Sequence, residues 1–246
     1  MNQFNKTISC GECHNAVINL EKKVVCWGLN NKGQCDVPKD LENVISVSCG
    51  YHTAALTSEG KVVCWGDNDN RQCNLPKDLQ NVVSISSGSF YNAALTYEGK
   101  VVCWGDNYHK QCNVPKDLEN IVSISCGYHT VALTSEGKII CWGSNDYGQC
   151  DVPIDLENVI SISCGFIHNA ALTSEGRVVC WGNNDYGQCD TPILLQEIME
   201  IAAGGYHTAA LTSEGKLICW GDNDNRQCDV PETLTISSGN SSVQLW

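Results

Sequence analysis

A Trp-Gly pair recurs at Trp27, Trp65, Trp104, Trp142, Trp181 and Trp220, with spacings of 38, 39, 38, 39 and 39 residues. A period of this length constrains the fold more than any other feature. Each unit is too short to bury an apolar face alone and must pack on its neighbours. The unit runs close to "VISVSCGYHTAALTSEGKVVCWGDNDNRQCDVPKDLEN". The alternation of 38 and 39 has a local origin. "GYHT" at 50–53 and 127–130 is one residue shorter than "GSFYN" at 88–92, "GFIHN" at 165–169 and "GGYHT" at 204–208.

Three strands are legible in each unit. "ISVSC" alternates apolar and small polar residues with period two. "HTAAL" follows a glycine turn. "KVVCW" follows the turn "TSEG" and is β-branched and aromatic, as strands prefer. A polar loop, a "QC", a proline and "KDLEN" complete the unit and leave room for one helical turn. No segment carries a long apolar period of 3.6, so the class is all-β.

A solenoid and a propeller both suit such a repeat. Side-chain size favours the propeller, because blades converge on an axis. The first strand holds Ser and Cys between Ile and Val, the second Ala-Ala, the third Val, Val and Trp. The first-strand pattern occurs seven times, at Ile8, Ile45, Ile85, Ile124, Ile162, Ile201 and Ile236. The expectation is one domain over 1–246, a seven-bladed β-propeller of short three- to four-stranded blades. The last blade is incomplete and closed by the N-terminal segment. A six-bladed ring with an extra hairpin is the alternative.

The stretches "GYHTAALTSEGKVVCWGDNDNRQC" and "CWGSNDYGQC" resemble the regulator of chromosome condensation repeat family. That family reads Gly-x-x-His-Thr, an apolar strand, Gly-x-Val, then Trp-Gly-x-Asn-x-x-Gly-Gln. The short period is similar in style to bacterial members such as the propeller-type β-lactamase inhibitor. The resemblance implies a seven-bladed propeller and a structural role for the repeated His, but it fixes no function. The plant photoreceptor of this family senses light with tryptophans in a "GWRHT" motif. The matching slots here hold Tyr, Phe or Ile, which argues against that activity.

Composition excludes some classes. The net charge of −13 disfavours nucleic acid and anionic membrane surfaces as partners. The N-terminal "MNQFNKTISCGEC" lacks the apolar stretch of a secretory signal, so the expected location is the cytoplasm. "DNDN" at 67–70 begins like a calcium loop but no closing glutamate follows, and Asn and Asp also favour turns. Cys-x8-Cys is too widely spaced for a usual zinc pair. His14, His52, His129, His168 and His207 share one slot and read as a repeated structural hydrogen bond. His109 falls outside it, in a solvated loop. No metal and no cofactor is expected.

Sixteen of the seventeen cysteines fall in three slots: before Trp, after Gln, and before Gly. Cys13 is the exception. The first two slots are filled in all six units, so six intrablade disulfides are conceivable outside a reducing cytosol. Reduced core thiols are the favoured reading, since duplication copies both slots together.

No nucleophile is paired with a base at a non-repeated place, so the chain is read as non-enzymatic. The leading expectation is a monomeric propeller that binds an unknown protein partner through one face. An inhibitor capping a secreted enzyme is the second reading, and nucleotide exchange on a small GTPase the third. Taking the strands as up, down, up, one face gathers Tyr51, Phe90, Tyr91, Tyr128, Phe166, Ile167 and Tyr206 near the axis. Tyr108, Tyr147 and Tyr186 lie further out on the same face. Aromatics at the centre of a polar-rimmed face match the layout of interface hot spots.

Overall fold

The computed structural model describes residues 7–193 and 195–231. Its eighteen strands form six antiparallel sheets, each of three consecutive strands. Blade one holds β1 (Ile8–Cys10), β2 (His14–Ile18) and β3 (Val24–Gly28), and blade two β4 (Val44–Cys49), β5 (His52–Thr57) and β6 (Val62–Gly66). Blade three holds β7 (Val82–Ser87), β8 (Tyr91–Thr96) and β9 (Val101–Gly105), and blade four β10 (Ile121–Cys126), β11 (His129–Thr134) and β12 (Ile139–Gly143). Blade five holds β13 (Val159–Cys164), β14 (His168–Thr173) and β15 (Val178–Gly182), and blade six β16 (Ile198–Ala203), β17 (His207–Thr212) and β18 (Leu217–Gly221).

The chemistry of each turn explains its hairpin. In "TSEG", Thr57 N–H donates to Lys61 O at 2.9 Å and Gly60 N–H donates to Thr57 O at 3.0 Å. Gly60 sits at φ 75, a left-handed position that closes the hairpin with no Cβ penalty. The Trp-Gly glycine has a different reason. A Cβ on Gly66 would lie 2.9 Å from the Gln34 Cα of the preceding blade. "KDLEN" forms a single turn rather than a helix: Leu41 N–H donates to Pro38 O at 3.1 Å, and Asn43 then turns left-handed at φ 55.

The core lies between blades. One slab joins Ala16 and Val24 of blade one to Val44, Val47, Ala55 and Trp65 of blade two. The next joins Leu56 and Val62 to Val82, Ile85 and Trp104. The small residues face inward as the size gradient predicts, and first strands of all six blades line one axial cavity at Cys10, Cys49, Ser87, Cys126, Cys164 and Ala203.

The described residues make six blades, each of three strands, not seven of three to four. The segment read as a seventh blade, from Ile236 to Trp246, lies outside the described residues. The edge of blade one differs accordingly from every other blade. Trp65, Trp104, Trp142, Trp181 and Trp220 are buried between blades, whereas Trp27 is 48% exposed because no described blade precedes it.

Candidate functional site

Every junction between consecutive blades carries one hydrogen-bonded thread. His14 Nε2 meets Thr53 Oγ1 of the next blade at 2.7 Å, and Thr53 Oγ1 donates back to Gln34 O at 2.9 Å. Trp65 Nε1 donates to the same carbonyl at 3.0 Å. The motif repeats with His52, Asn92, Gln72 and Trp104, with His129, Asn169, Gln149 and Trp181, and with His168, Thr208, Gln188 and Trp220. At the junction of blades three and four, Tyr91 stands in the histidine slot: its hydroxyl donates to His129 O at 2.6 Å and meets Thr130 Oγ1 at 2.9 Å.

His14, His52, His129 and His168 thus hold blades together, as the repeat slot suggests. Burial pushes His52 and His129 down to about 4, only partly opposed by their bonds to Asn92 and Asn169. Each of those asparagines gives its Nδ2 to a glutamine carbonyl, so its Oδ1 accepts from a neutral imidazole whose proton is on Nε2.

The loop after Trp-Gly is a self-satisfied corner. Asn68 Oδ1 accepts Cys73 N–H at 2.9 Å, and its Nδ2 donates to Asn74 Oδ1 at 3.0 Å. The Asn–Cys bond recurs in the other five units at Asn30, Asn107, Asn145, Asn184 and Asn223. Asp67 Oδ1 is engaged by Asp69 N–H at 2.9 Å. The Asp67 and Asn68 oxygens therefore serve the backbone, and Asp69 Oδ2 accepts from Lys32 Nζ at 2.6 Å. Among the described residues, no group of three or more His, Cys, Asp or Glu is placed to hold a metal ion.

Among the described residues, no two cysteines are joined by a disulfide. The loop geometry nevertheless brings the two thiols of a unit together, most closely where Cys141 Sγ donates to Cys150 Sγ at 2.8 Å. That bond raises Cys141 and lowers Cys150. Elsewhere burial dominates and pushes Cys26 up to about 12 and Cys219 up to about 11.

The turn between the first and second strand of each blade opens on one face, at the mouth of the axial cavity. Backbone bonds tie these turns into a partial ring: Glu12 N–H to Gly50 O, Tyr51 N–H to Ser89 O, Tyr128 N–H to Phe166 O and Phe166 N–H to Gly205 O. Above this ring lies an aromatic crown. Tyr51 stacks on Phe90 with centroids 4.7 Å apart. Tyr128 meets Phe166 at 5.5 Å, Phe166 meets Tyr206 at 5.5 Å, and Tyr206 meets Tyr186 of the outer loop at 5.3 Å. All of these rings keep part of their surface in solvent. Ser89 Oγ donates to the Glu12 carboxylate at 2.7 Å, beside the rings.

The regulator of chromosome condensation (RCC1) repeat matches the chain six times, at residues 6–34, 44–72, 82–111, 121–149, 159–188 and 200–227. The chain belongs to this repeat family. Its structure is similar to that of Prp20p from Saccharomyces cerevisiae, a protein studied for binding Gsp1p and histones. The TM-score is 0.77 at 19% identity, over 94% of this chain and 75% of that one. It is also similar to human WBSCR16, with TM-score 0.73 at 23% identity over 91% and 77% of the two chains. The CRINKLY WD40 ectodomain of the Arabidopsis thaliana receptor kinase ACR4 gives 0.74 at 19% identity, over 88% and 84%. At such identities the likeness speaks for the fold alone. No curated protein sequence matches the chain.

Set against the RCC1 repeat, eight of the ten aromatic and aliphatic residues expected on one face keep exposed surface and form two groups. Tyr51, Phe90, Tyr128, Phe166 and Tyr206 lie at the axial mouth, and Tyr108, Tyr147 and Tyr186 stand exposed on the outer loops. Tyr91 and Ile167 are corrections. Tyr91 is 1% exposed because it fills the inter-blade histidine slot, and Ile167 turns inward because Phe166 takes the surface position. The extra residue in "GSFYN" and "GFIHN" shifts the count from the glycine. Counting back from the following Ala-Ala places Tyr91 in the His52 slot.

Two residue sets were missed by sequence reasoning. The buried Gln34, Gln72, Gln111, Gln149 and Gln188 organise each loop and present the shared carbonyl. Glu12 stands one residue after the glycine in "GECH", the position of Tyr51 in "GYHT". Its signal was an acidic residue at a position that holds Tyr51, Ser89, Tyr128, Phe166 and Gly205 in the other units.

Proposed function

We propose that this RCC1-repeat propeller is a non-enzymatic, monomeric protein that binds a protein partner through the face carrying the axial aromatic crown. The observation that carries the reading is the cluster itself. Half-exposed Tyr and Phe rings from five blades converge on one centre and are held by backbone bonds between blades. Preorganised aromatic anchors of this kind dominate interface energetics. The similarity to Prp20p, a protein studied for its binding to other proteins, supports a protein rather than a small molecule as partner. The net charge of −13 works against nucleic acid and anionic lipid. Among the described residues no helix is long and apolar enough to cross a membrane.

The test compares the two faces. Affinity capture from source cells is run with the wild type, with Tyr51→Ala plus Tyr128→Ala, and with Glu59→Lys plus Glu136→Lys at the opposite "TSEG" turns. The tyrosine pair should lose the captured partner while keeping its melting temperature, and the charge reversals should retain it. Equal losses from both faces, or unfolding of the tyrosine pair, would overturn the assignment. A captured enzyme inhibited by the propeller, or a small GTPase exchanging nucleotide faster, would refine it to one of those activities.

A further inference from the structure

The first blade breaks the repeat at one point on the axial mouth. Five blades present a ring there, Tyr51, Phe90, Tyr128, Phe166 and Tyr206, and blade one presents Glu12. The carboxylate is not directed freely into solvent. Glu12 N–H donates to Gly50 O at 3.2 Å, and Ser89 Oγ donates to its carboxylate from two blades away. Glu12 and Phe166 both border the axial cavity of about 190 Å³, whose other walls are mostly Gly, Ser and Cys.

This carboxylate is short of positive charge. Burial pushes its carboxyl up, and only the Ser89 bond opposes that. Among the described residues the ion pairs are Lys23 with Glu21 and Lys32 with Asp69, and neither includes Glu12. The charge of Glu12 is felt by the phenols of Tyr51, Tyr128 and Tyr206, each raised first by burial and then in part by Glu12. A carboxylate with no ion pair among the described residues therefore sits at the mouth that carries the rings. Both features attract a cation, the rings through their quadrupole and the acid through charge-assisted hydrogen bonds. A guanidinium suits the pair best. It is planar and weakly hydrated, stacks on aromatic rings, and meets a carboxylate with two parallel donors.

We propose that the axial mouth is a recognition pocket for an arginine side chain of the protein partner, with Glu12 as its counter-ion and Tyr51, Tyr128 and Tyr206 as its walls. The proposal rests on the reading of this face as the partner surface and adds the chemistry that the partner must present.

The probe is the peptide acetyl-Gly-Gly-Arg-Gly-Gly-amide, titrated into the full chain and followed by the ring resonances of the tyrosines. The control is the same peptide with citrulline, which keeps the shape and loses the charge. The arginine peptide should shift Tyr51, Tyr128 and Tyr206 saturably and bind at least about 10-fold more tightly than the citrulline peptide. Glu12→Gln should abolish that discrimination while leaving the melting temperature unchanged. Equal binding of the two peptides, no binding of either, or discrimination that survives Glu12→Gln would overturn the proposal. Partner capture separates this proposal from the one beneath it. If the tyrosine pair loses the partner but Glu12→Gln keeps it, the face stands and the arginine pocket falls. If neither variant loses it, the face falls, and the peptide titration still decides the pocket.

Discussion

The six Trp-Gly units supply their own control for what an inter-blade tryptophan is worth. Trp104 is 7% exposed and donates to Gln72 O at 2.9 Å, whereas Trp27, in the same slot of blade one, is 48% exposed. The difference in cover is roughly two fifths of a tryptophan surface, on the order of 100 Å², or about 2.5 kcal/mol at about 25 cal/mol per Å². The lost hydrogen bond adds about 1 kcal/mol. Trp104→Ala should therefore destabilise by roughly 3–5 kcal/mol, as large-to-small core changes do. Trp27→Ala should cost about 3 kcal/mol less. Urea unfolding followed by circular dichroism reads both. For a chain of this size the Trp104 variant should melt roughly 10 °C lower, and the Trp27 variant within a few degrees of wild type. Trp104→Phe should fall between, because Gln72 O still accepts from Asn92 Nδ2. Equal costs for Trp104 and Trp27 would refute the reasoning, since blade one would then be as fully covered as the others.

Acid should weaken the fold through the buried histidines. The folded values of His52 and His129 lie near 4, and that of His168 near 3, all lowered chiefly by burial. The unfolded chain takes up these protons below about pH 6.5 while the folded chain does not, so stability is fully present above that pH and is lost as pH falls toward 4. The expected loss is about 2 kcal/mol per histidine by pH 5, and a flat urea midpoint between pH 7 and 5 would contradict it. Calcium or zinc at millimolar concentration should leave the melting temperature unchanged, because Asp67 and Asn68 of "DNDN" already accept backbone N–H groups and Asp69 pairs with Lys32; a rise of several degrees would show a bound ion. Thiol counting on denatured protein should find all seventeen cysteines free, and about twelve blocked would instead show six intrablade disulfides. Under added oxidised glutathione, Cys141 and Cys150 should pair first, with release of two glutathione thiols, because their sulfurs touch and Cys150 is the lowered thiol.

The blade plan was legible because its signals are local and repeated. Alternation in "ISVSC", the glycine of "TSEG" and the bulk of "VVCW" each specify a strand or turn within a few residues, and the strands appear where those patterns lie. Blade number was less legible. The first-strand pattern at Ile236 counts as a seventh start in sequence, but it lies outside the described residues, which make six blades. The glutamine before each second cysteine was opaque for another reason. Its role is to bury a side chain that folds its own loop and to aim a backbone carbonyl at the next blade. A polar residue that acts through its main chain leaves no mark in a hydrophobic pattern.

The binding face was half legible, and the reason lies in the five-residue turns. "GSFYN", "GFIHN" and "GGYHT" each carry one residue more than "GYHT", and the fold absorbs it differently each time. Blade three places Phe90 outside and Tyr91 in the histidine slot. Blade five places Phe166 outside and sends Ile167 inward. Blade six spends the extra position on Gly205, which lies under the Phe166 ring with no room for a Cβ: the nearest ring carbon would be 2.8 Å away. Which aromatic faces solvent is thus set by contact with the neighbouring blade, a long-range fact no single repeat encodes. What each repeat does encode is the departure from its siblings. Function in a repeat protein concentrates where the shared pattern is relaxed, because the shared positions are committed to holding blades together. By that argument Glu12 is the most informative residue on the face: it is the acidic residue among Tyr51, Ser89, Tyr128, Phe166 and Gly205 at that position, and it leaves a partly buried charge without an ion pair among the described residues. The other units fold with an uncharged residue there, Tyr in two of them, so Glu12→Tyr should leave the melting temperature unchanged or raise it slightly. A clear loss of stability would show that Glu12 is retained for the fold.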